Sequence, residues 1–285
     1  MRRPRISVVI PTYERPDDLE RCLNSLDSNN QTIKENFEIV VSDDSFSLDS
    51  KKLVNAKFPS ISYDEGKRNG PAGNRNAGAN RANGDWIVFI DDDCFADPQY
   101  LKAYLTAIIQ NPKIEVFEGR IYPDRPRKTW AEGCPANEGG GMLWTSNLCI
   151  KKTLFDKLGG LDERFKVAFE DVDLSYRLKK QNITCLFIPE AAVCHPWRTL
   201  RKSIKNWKTK GYQWESLYLF LKKHPESVSE YGNPLVYMRH ALRMITKDLF
   251  ACVFILKGRG IDILFSQLSC TLLTMVRVTL KTWKY

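Results

Sequence analysis

The sequence predicts an α/β protein: a Rossmann-like, doubly wound, mostly parallel sheet followed by a basic helical extension. Three observations carry this. Short apolar runs rich in β-branched residues alternate with segments of helical period, as βαβ units require. The runs lack the apolar–polar alternation of a half-exposed sheet, so both sheet faces are covered. Charge is also uneven: residues 196–285 hold 16 Lys+Arg against 5 Asp+Glu, so a body of net −2 precedes a tail of net +11. Such asymmetry points to an anionic partner for the tail.

The elements follow in order. ISVVI (6–10) is a buried strand. Pro16 suits the first position of the next helix, Asp17 and Asp18 suit its positive end, and Leu19, Cys22, Leu23 and Leu26 share one face. FEIVVS (37–42) is a second strand ending in Asp43 and Asp44, and ISY (61–63) is a short third. AGNRNAGANRAN (72–83) is a helix of small residues stopped by Gly84. WIVFI (86–90) is the next strand, and Asp97-Pro98 opens a helix running to about Asn111. EVFEGRIY (115–122) reads as a strand, then the chain turns irregular and rich in Pro and Gly through Gly139–Gly141. Helices are expected at 152–160 and 170–180, with a strand at 183–189. Ligands of such sheets bind beyond the carboxyl ends of the strands. Here three strand ends carry PTYER, SDDS and DDD.

Composition narrows the class. With 43% hydrophobic and 27% charged residues, the 285-residue chain is a folded protein with a full core. Its eight cysteines include no CxxC pair, which suits thiols of a reducing compartment. The first apolar run is only five residues long before Pro11, too short for a signal-peptide core, so a cytoplasmic location is expected. No GxGxxG follows a strand, Ala79 stands where a P-loop needs lysine, and the three histidines lack zinc spacing. Asp91, Asp92 and Asp93 sit together after a buried strand. Like charges so close need a cation, and Mg²⁺ or Mn²⁺ shared with a diphosphate supplies one. A capping role would need one acid, and Asp97 already fills it.

SVVIPTYERPDDL, VVSDDS, GPAGNRNAG, DWIVFIDDDC, GGLDERF and FEDVDLSYRL occur in this order over residues 5–198. Together they resemble the family 2 glycosyltransferases of the GT-A fold. The resemblance implies an inverting sugar transferase and assigns roles. Pro11, Thr12, Tyr13 and Glu14 would line the nucleotide pocket, Asp43 would hydrogen-bond the base, and Arg75 would lie near the diphosphate. Asp91 and Asp92 would face ribose and donor sugar, Asp93 would bind Mn²⁺ or Mg²⁺, and Asp171 of the Glu170–Asp171 pair would be the catalytic base. Ser45 departs from the glycine usual at its position. His195 is either a further metal ligand or structural, and Glu170 either orients the acceptor or stabilises its helix. Trp144 and Asn147 fall where the family builds its acceptor side, although Trp144 is equally a core residue.

The chemistry is self-consistent. A metal on the diphosphate stabilises the leaving group, so no acidic carboxyl is needed there. One carboxylate on the opposite side deprotonates the acceptor hydroxyl and gives inversion. Asp171 lies in the first turn of its helix, where the dipole is expected to hold it ionised but weak. Asp173 is expected to pair with Arg177 one turn on.

The expected organisation is a catalytic domain over 1–198, with a nucleotide half to about 115 and an acceptor half beyond, then a basic region over 199–285. There Leu200, Ile204, Trp207, Gly211, Trp214, Tyr218 and Leu221 form a stripe flanked by Arg201, Lys202, Lys205, Lys208 and Lys210. That is the pattern of a helix lying on an anionic membrane, and packing of the stripe on the catalytic domain is the alternative. Residues 261–280, interrupted by Asp262, Gln267 and Arg277, are not expected to span a bilayer. The expected partners are a UDP-sugar donor, a glycan or lipid-linked acceptor and a membrane surface. No nucleic acid is expected, since no recognition motif accompanies the charge. The competing functions are a non-catalytic sugar-binding module, which has no use for a base, and a nucleotidyltransferase, which needs a glycine-rich basic loop where this chain has PTYERP.

Overall fold

The computed structural model describes residues 6–199 and 207–280, with side chains from 214 onward in the second stretch. Its elements are β1 (Ile6–Thr12), α1 (Pro16–Ser25), β2 (Phe37–Asp43), α2 (Asp49–Lys57), β3 (Ser62–Glu65), α3 (Pro71–Arg81), β4 (Trp86–Ile90), β5 (Phe95–Ala96), α4 (Tyr100–Gln110) and β6 (Val116–Pro123). There follow β7 (Glu132–Gly133), β8 (Asn147–Lys151), α5 (Lys152–Lys157), α6 (Glu170–Lys180), β9 (Cys185–His195), β10 (Arg198–Thr199), α7 (Trp207–Lys223), α8 (Val228–Tyr231), α9 (Pro234–Arg243) and α10 (Ile261–Thr279).

The main sheet has the order β3-β2-β1-β4-β8-β6-β9-β5. Its first four strands are parallel and are joined by helices, as the βαβ pattern of the sequence requires. The second half is mixed: β8 runs antiparallel to both β4 and β6, and β9 returns parallel to β6. Strands β1, β2, β4, β6, β8 and β9 each feed both layers. Val8 and Ile10 enter one cluster with Leu19, Leu23, Tyr100 and Phe117, while Val9 enters the other with Ala72, Ala79, Phe89 and Leu174. This two-sided burial is why the strands read as unbroken apolar runs. The small residues of α3 have a packing cause: a Cβ on Gly78 would lie 2.5 Å from the Val9 side chain, so the helix sits close on β1.

Two units are distinguishable. The first comprises the chain to Asp124, Pro135–Lys166 and Glu170–Pro196; the second comprises Arg125–Cys134, Val167–Phe169 and the chain from Trp197. The second unit thus takes two short segments that the sequence reading gave to the catalytic domain. Within it, the Arg127 guanidinium lies 4.0 Å over the Trp130 ring, whose Nε1 donates to Gln267 on α10 at 2.9 Å. On α7, Leu217, Phe220 and Leu221 are buried, with the Phe220 ring against Phe169, His224 and Tyr231. Leu221 of the expected membrane stripe is therefore a packing residue of this unit. Arg277 covers Trp214 at 5.2 Å. Leu200, Ile204, Arg201, Lys202 and Lys205 lie outside the described residues; of Trp207, Lys208, Lys210 and Gly211 only the backbone is described. Helix α10 is long and apolar enough, by length and composition, to cross a membrane: 19 residues, mean hydropathy 1.4, 17% buried.

Candidate functional site

A cleft of about 470 Å³ opens at the carboxyl ends of β1 and β4, lined by Pro11, Thr12, Tyr13, Arg15, Asp44, Phe46, Arg68, Asn74, Arg75, Asp91 and Asp92 among others. β1 ends in Thr12, whose hydroxyl donates to Asp92 Oδ2 at 2.8 Å and whose carbonyl accepts from Asn74 Nδ2 at 3.1 Å. Strand β1, helix α3 and the acid run after β4 are thereby tied at one point. Tyr13 is 53% exposed on the cleft wall.

The three acids after β4 have separate partners. Asp91 is half-buried and meets Arg75 Nη2 at 2.5 Å. Asp92 is buried and meets Arg15 Nη1 at 3.2 Å. Burial pushes its carboxyl up to about 7 against the opposing pull of Arg15. Asp93 is buried to the same extent, with Arg15 Nη1 at 3.6 Å and His195 Nε2 at 3.3 Å.

The His195–Asp93 geometry bears on the metal. His195 Nδ1 lies 2.8 Å from the Pro196 carbonyl, which can only accept, so Nδ1 carries the proton. Nε2 is then the ring nitrogen turned toward Asp93 Oδ2. A backbone carbonyl on the far nitrogen is the usual support of a metal-ligating histidine. One carboxylate oxygen and one imidazole nitrogen form a fitting donor pair for Mn²⁺, with phosphate oxygens and water to complete the shell. Cys94 also lies in this group, all ligand atoms within 4.8 Å. Burial pushes its thiol well up, with Asp91 and Asp93 adding to the shift, so it stays protonated and is a poor partner for a hard cation.

Arg75 connects the acids after β4 to the Glu170–Asp171 pair. It projects from α3 with 6% exposure and reaches Glu170 Oε1 at 3.4 Å through the nitrogen not used by Asp91. Burial would lower its pKa, and the carboxylates of Asp91 and Glu170 outweigh that, leaving it raised. Glu170 and Asp171 open α6, and both carboxyls are held above the usual range, chiefly by burial, with Arg75 opposing. The expectation that the helix dipole leaves Asp171 a weak base is overturned: desolvation dominates. Asp173 pairs with Arg177 at 2.8 Å, as the one-turn spacing implied.

Three expectations change. Asp43 is not on the cleft: its carboxylate accepts from Tyr63 Oη at 2.6 Å and the Ser45 amide at 2.7 Å. The neighbouring Asp44 lines the cleft instead, accepting from the Arg68 amide at 3.0 Å. Glu14 does not line the cleft either. It sits at a positive φ of 53° and accepts from the amides of Phe46 and Ser47, bracing the loop beyond β2. Asn147 is 1% exposed, donates to the carbonyls of Arg120 and Ala191 and accepts from Tyr104 Oη at 2.6 Å, so it holds β8, β6 and β9 together rather than meeting an acceptor. Trp144 is half-buried against the core.

Sequence reasoning missed Arg15, Asp44, Phe46 and Arg68. The Arg68 guanidinium lies 4.7 Å over the exposed Phe46 ring and donates to the Ser45 carbonyl, forming one rim of the cleft. It also missed Glu118 on β6, a buried carboxylate that accepts from Asn137 Nδ2 and from the amides of Gly141, Met142 and Leu143. This fixes the glycine loop, while Gly139 faces open space.

Comparison with known proteins gives the family and supports the fold. Residues 7–162 match the family model described as Glycosyl transferase family 2. The chain belongs to that family. A second model, Glycosyl transferase family group 2, matches residues 86–280. This glycosyltransferase is 32% identical over 219 residues to an uncharacterized glycosyltransferase of Haemophilus influenzae, with 70% of each chain covered. It is 38% identical over 95 residues to the GalNAc(5)-diNAcBac-PP-undecaprenol beta-1,3-glucosyltransferase of Campylobacter jejuni, covering 32% of this chain and 30% of that one. Its fold matches S. aureus TarS 1-349 in complex with UDP-GlcNAc at a TM-score of 0.59 and 18% identity, covering 75% of this chain and 65% of that one. The chain thus spans less than two thirds of the last two proteins.

Proposed function

We propose that this glycosyltransferase moves a sugar, with inversion, from a nucleotide diphospho-sugar, a UDP-sugar by preference, to a hydroxyl of a lipid-linked glycan, at the cytoplasmic membrane surface. The observation that carries the reading is Arg75, a cleft-lining guanidinium that meets both Asp91 after β4 and Glu170 of the Glu170–Asp171 pair. The UDP-GlcNAc in the TarS complex and the undecaprenol-linked acceptor in the Campylobacter enzyme's name support donor and acceptor classes. The basic region from 199 supports the membrane surface.

Each group has work to do. Tyr13, Phe46 and Arg68 give the base flat faces to stack on, and Asp44 offers an acceptor for a ring N–H. Asp92, held by Thr12, suits the ribose hydroxyls, and Arg15 and Arg75 balance the diphosphate charge. Asp93 and His195 would hold a divalent cation, which when bound stabilises the leaving diphosphate. Asp171 accepts the proton of the acceptor hydroxyl; its raised pKa makes its ionised form the stronger base. Glu170, tied to Arg75, fixes the start of α6 and hence the direction of Asp171.

The test is calorimetric titration with UDP and other nucleoside diphosphates in Mn²⁺, followed by donor-hydrolysis screening with nucleotide sugars. Binding of a nucleotide that weakens in Asp92→Ala is expected; a protein that binds none of them refutes the reading.

A further inference from the structure

Among the described residues, fourteen of the twenty exposed large apolar side chains lie between Leu235 and Leu280. A patch on that scale marks an interaction surface. Along α9 and the π-helical turns that continue it, Leu235, Met238, Leu242 and Ile245 recur at steps of three and four, so they share one stripe. The stripe leads to Val253, Phe254 and Ile255, the last two 70% exposed, just before the Lys257–Gly260 turn. On α10, Phe265, Leu272 and Val276 are exposed in turn, followed by Leu280 at its C-cap. The two segments already share a small core of Met244, Cys252 and Leu264, so the exposed stripes are surplus to their own packing. Basic residues accompany them: over 234–280 there are 6 Lys+Arg and 2 Asp+Glu.

We propose that this hairpin, residues 234–280, inserts its exposed apolar face into the surface layer of an anionic bilayer, with its cations at headgroup level. The inference rests on the membrane reading above and gives it a surface and a mode, insertion rather than adsorption by charge. A crossing of the two segments as a pair is disfavoured although α10 is long enough. The segment before the turn carries Arg239, Arg243, Lys247 and Asp248, and a crossing pair would place all four charges in hydrocarbon. Lying flat, the hairpin buries apolar side chains and leaves those charges on the polar side. A second copy of the chain is the poorer occupant, because the net positive charge accompanying the face would repel itself, whereas anionic headgroups complement it.

Flotation of the full chain with vesicles of phosphatidylcholine and phosphatidylglycerol tests this at low and high salt. Binding that survives high salt is expected, and F254S/I255S should weaken it at least about tenfold while nucleotide binding stays unchanged. F254W should gain fluorescence quenching from brominated acyl chains relative to the wild type. Binding abolished by high salt, or unchanged in F254S/I255S, overturns insertion and leaves adsorption by charge standing. No flotation at any salt overturns both. A vesicle-free dimer that F254S/I255S dissolves overturns the proposal in favour of a second copy.

Discussion

Replacing Arg75 by methionine keeps a side chain of similar length on α3 and removes the guanidinium shared by Asp91 and Glu170. The geometry sets the cost. Arg75 and Glu170 are 6% and 7% exposed, and the contacts are 2.5 Å to Asp91 and 3.4 Å to Glu170. Removing one partner of a buried ion pair costs about 3–5 kcal/mol, because the other charge stays behind without compensation. For a chain of this size that is roughly 6–20 °C in Tm. The loss should depend on pH. Burial already holds the Glu170 carboxyl above its usual range, and Arg75 opposes that rise. Without the arginine it rises further. A carboxylate with folded pKa above its unfolded pKa destabilises only where it must ionise, so the deficit is absent below the unfolded pKa and grows as pH rises through the folded one. Urea unfolding of wild type, R75M, E170Q and R75M/E170Q, at acid and neutral pH, reads this out from midpoints at constant m. R75M should be nearer to wild type in acid, and E170Q should recover part of its loss at neutral pH. A neutral-pH loss below about 0.5 kcal/mol, typical of an ordinary surface change, or a deficit that neither acid nor E170Q reduces, would refute the argument.

Asp171→Asn should lower transfer by about 10²–10⁴ with donor affinity retained, and it should raise Tm slightly, because a buried carboxylate with raised pKa costs stability when ionised; near wild-type turnover would remove Asp171 from the chemistry. The acid limb of the pH–rate profile should lie above the usual carboxylate range for the same reason, and a limb at ordinary carboxylate pKa would speak against that burial. His195→Ala should weaken Mn²⁺ binding, titrated in the presence of UDP, by about tenfold or more; unchanged affinity would make His195 structural. Asp44→Asn should weaken nucleotide binding with little change in stability, whereas Asp43→Asn should cost about 1–3 kcal/mol by disturbing the Tyr63 and Ser45 bonds. The reverse pattern would return the nucleotide role to Asp43.

Much of this arrangement was legible from residue order. Apolar runs such as ISVVI and WIVFI report two-sided burial directly, and each ends at the sheet edge, so the acids after them had to converge there. Adjacent acids were harder. Asp43 is the last paired residue of β2, opposite Glu65, and only the packing of Tyr63 shows that its carboxylate turns inward while Asp44 turns to the cleft. Asn147 was placed on the acceptor side by the resemblance alone; its burial depends on a strand that pairs antiparallel to two others, which no local period encodes. The raised pKa of Asp171 likewise comes from the tertiary setting, which overrode the dipole argument.

The clamp that Glu118 makes on residues 141–143 separates two properties that loops usually couple. Its base is fixed by a buried carboxylate on β6, whereas a side chain added at Gly139 would meet nothing within 4 Å. The loop can therefore change its chemistry without changing its course. Position 139 accordingly tolerates aromatic or charged side chains, with the risk to folding confined to the tip. A substitution at Glu118 would loosen the whole loop at once.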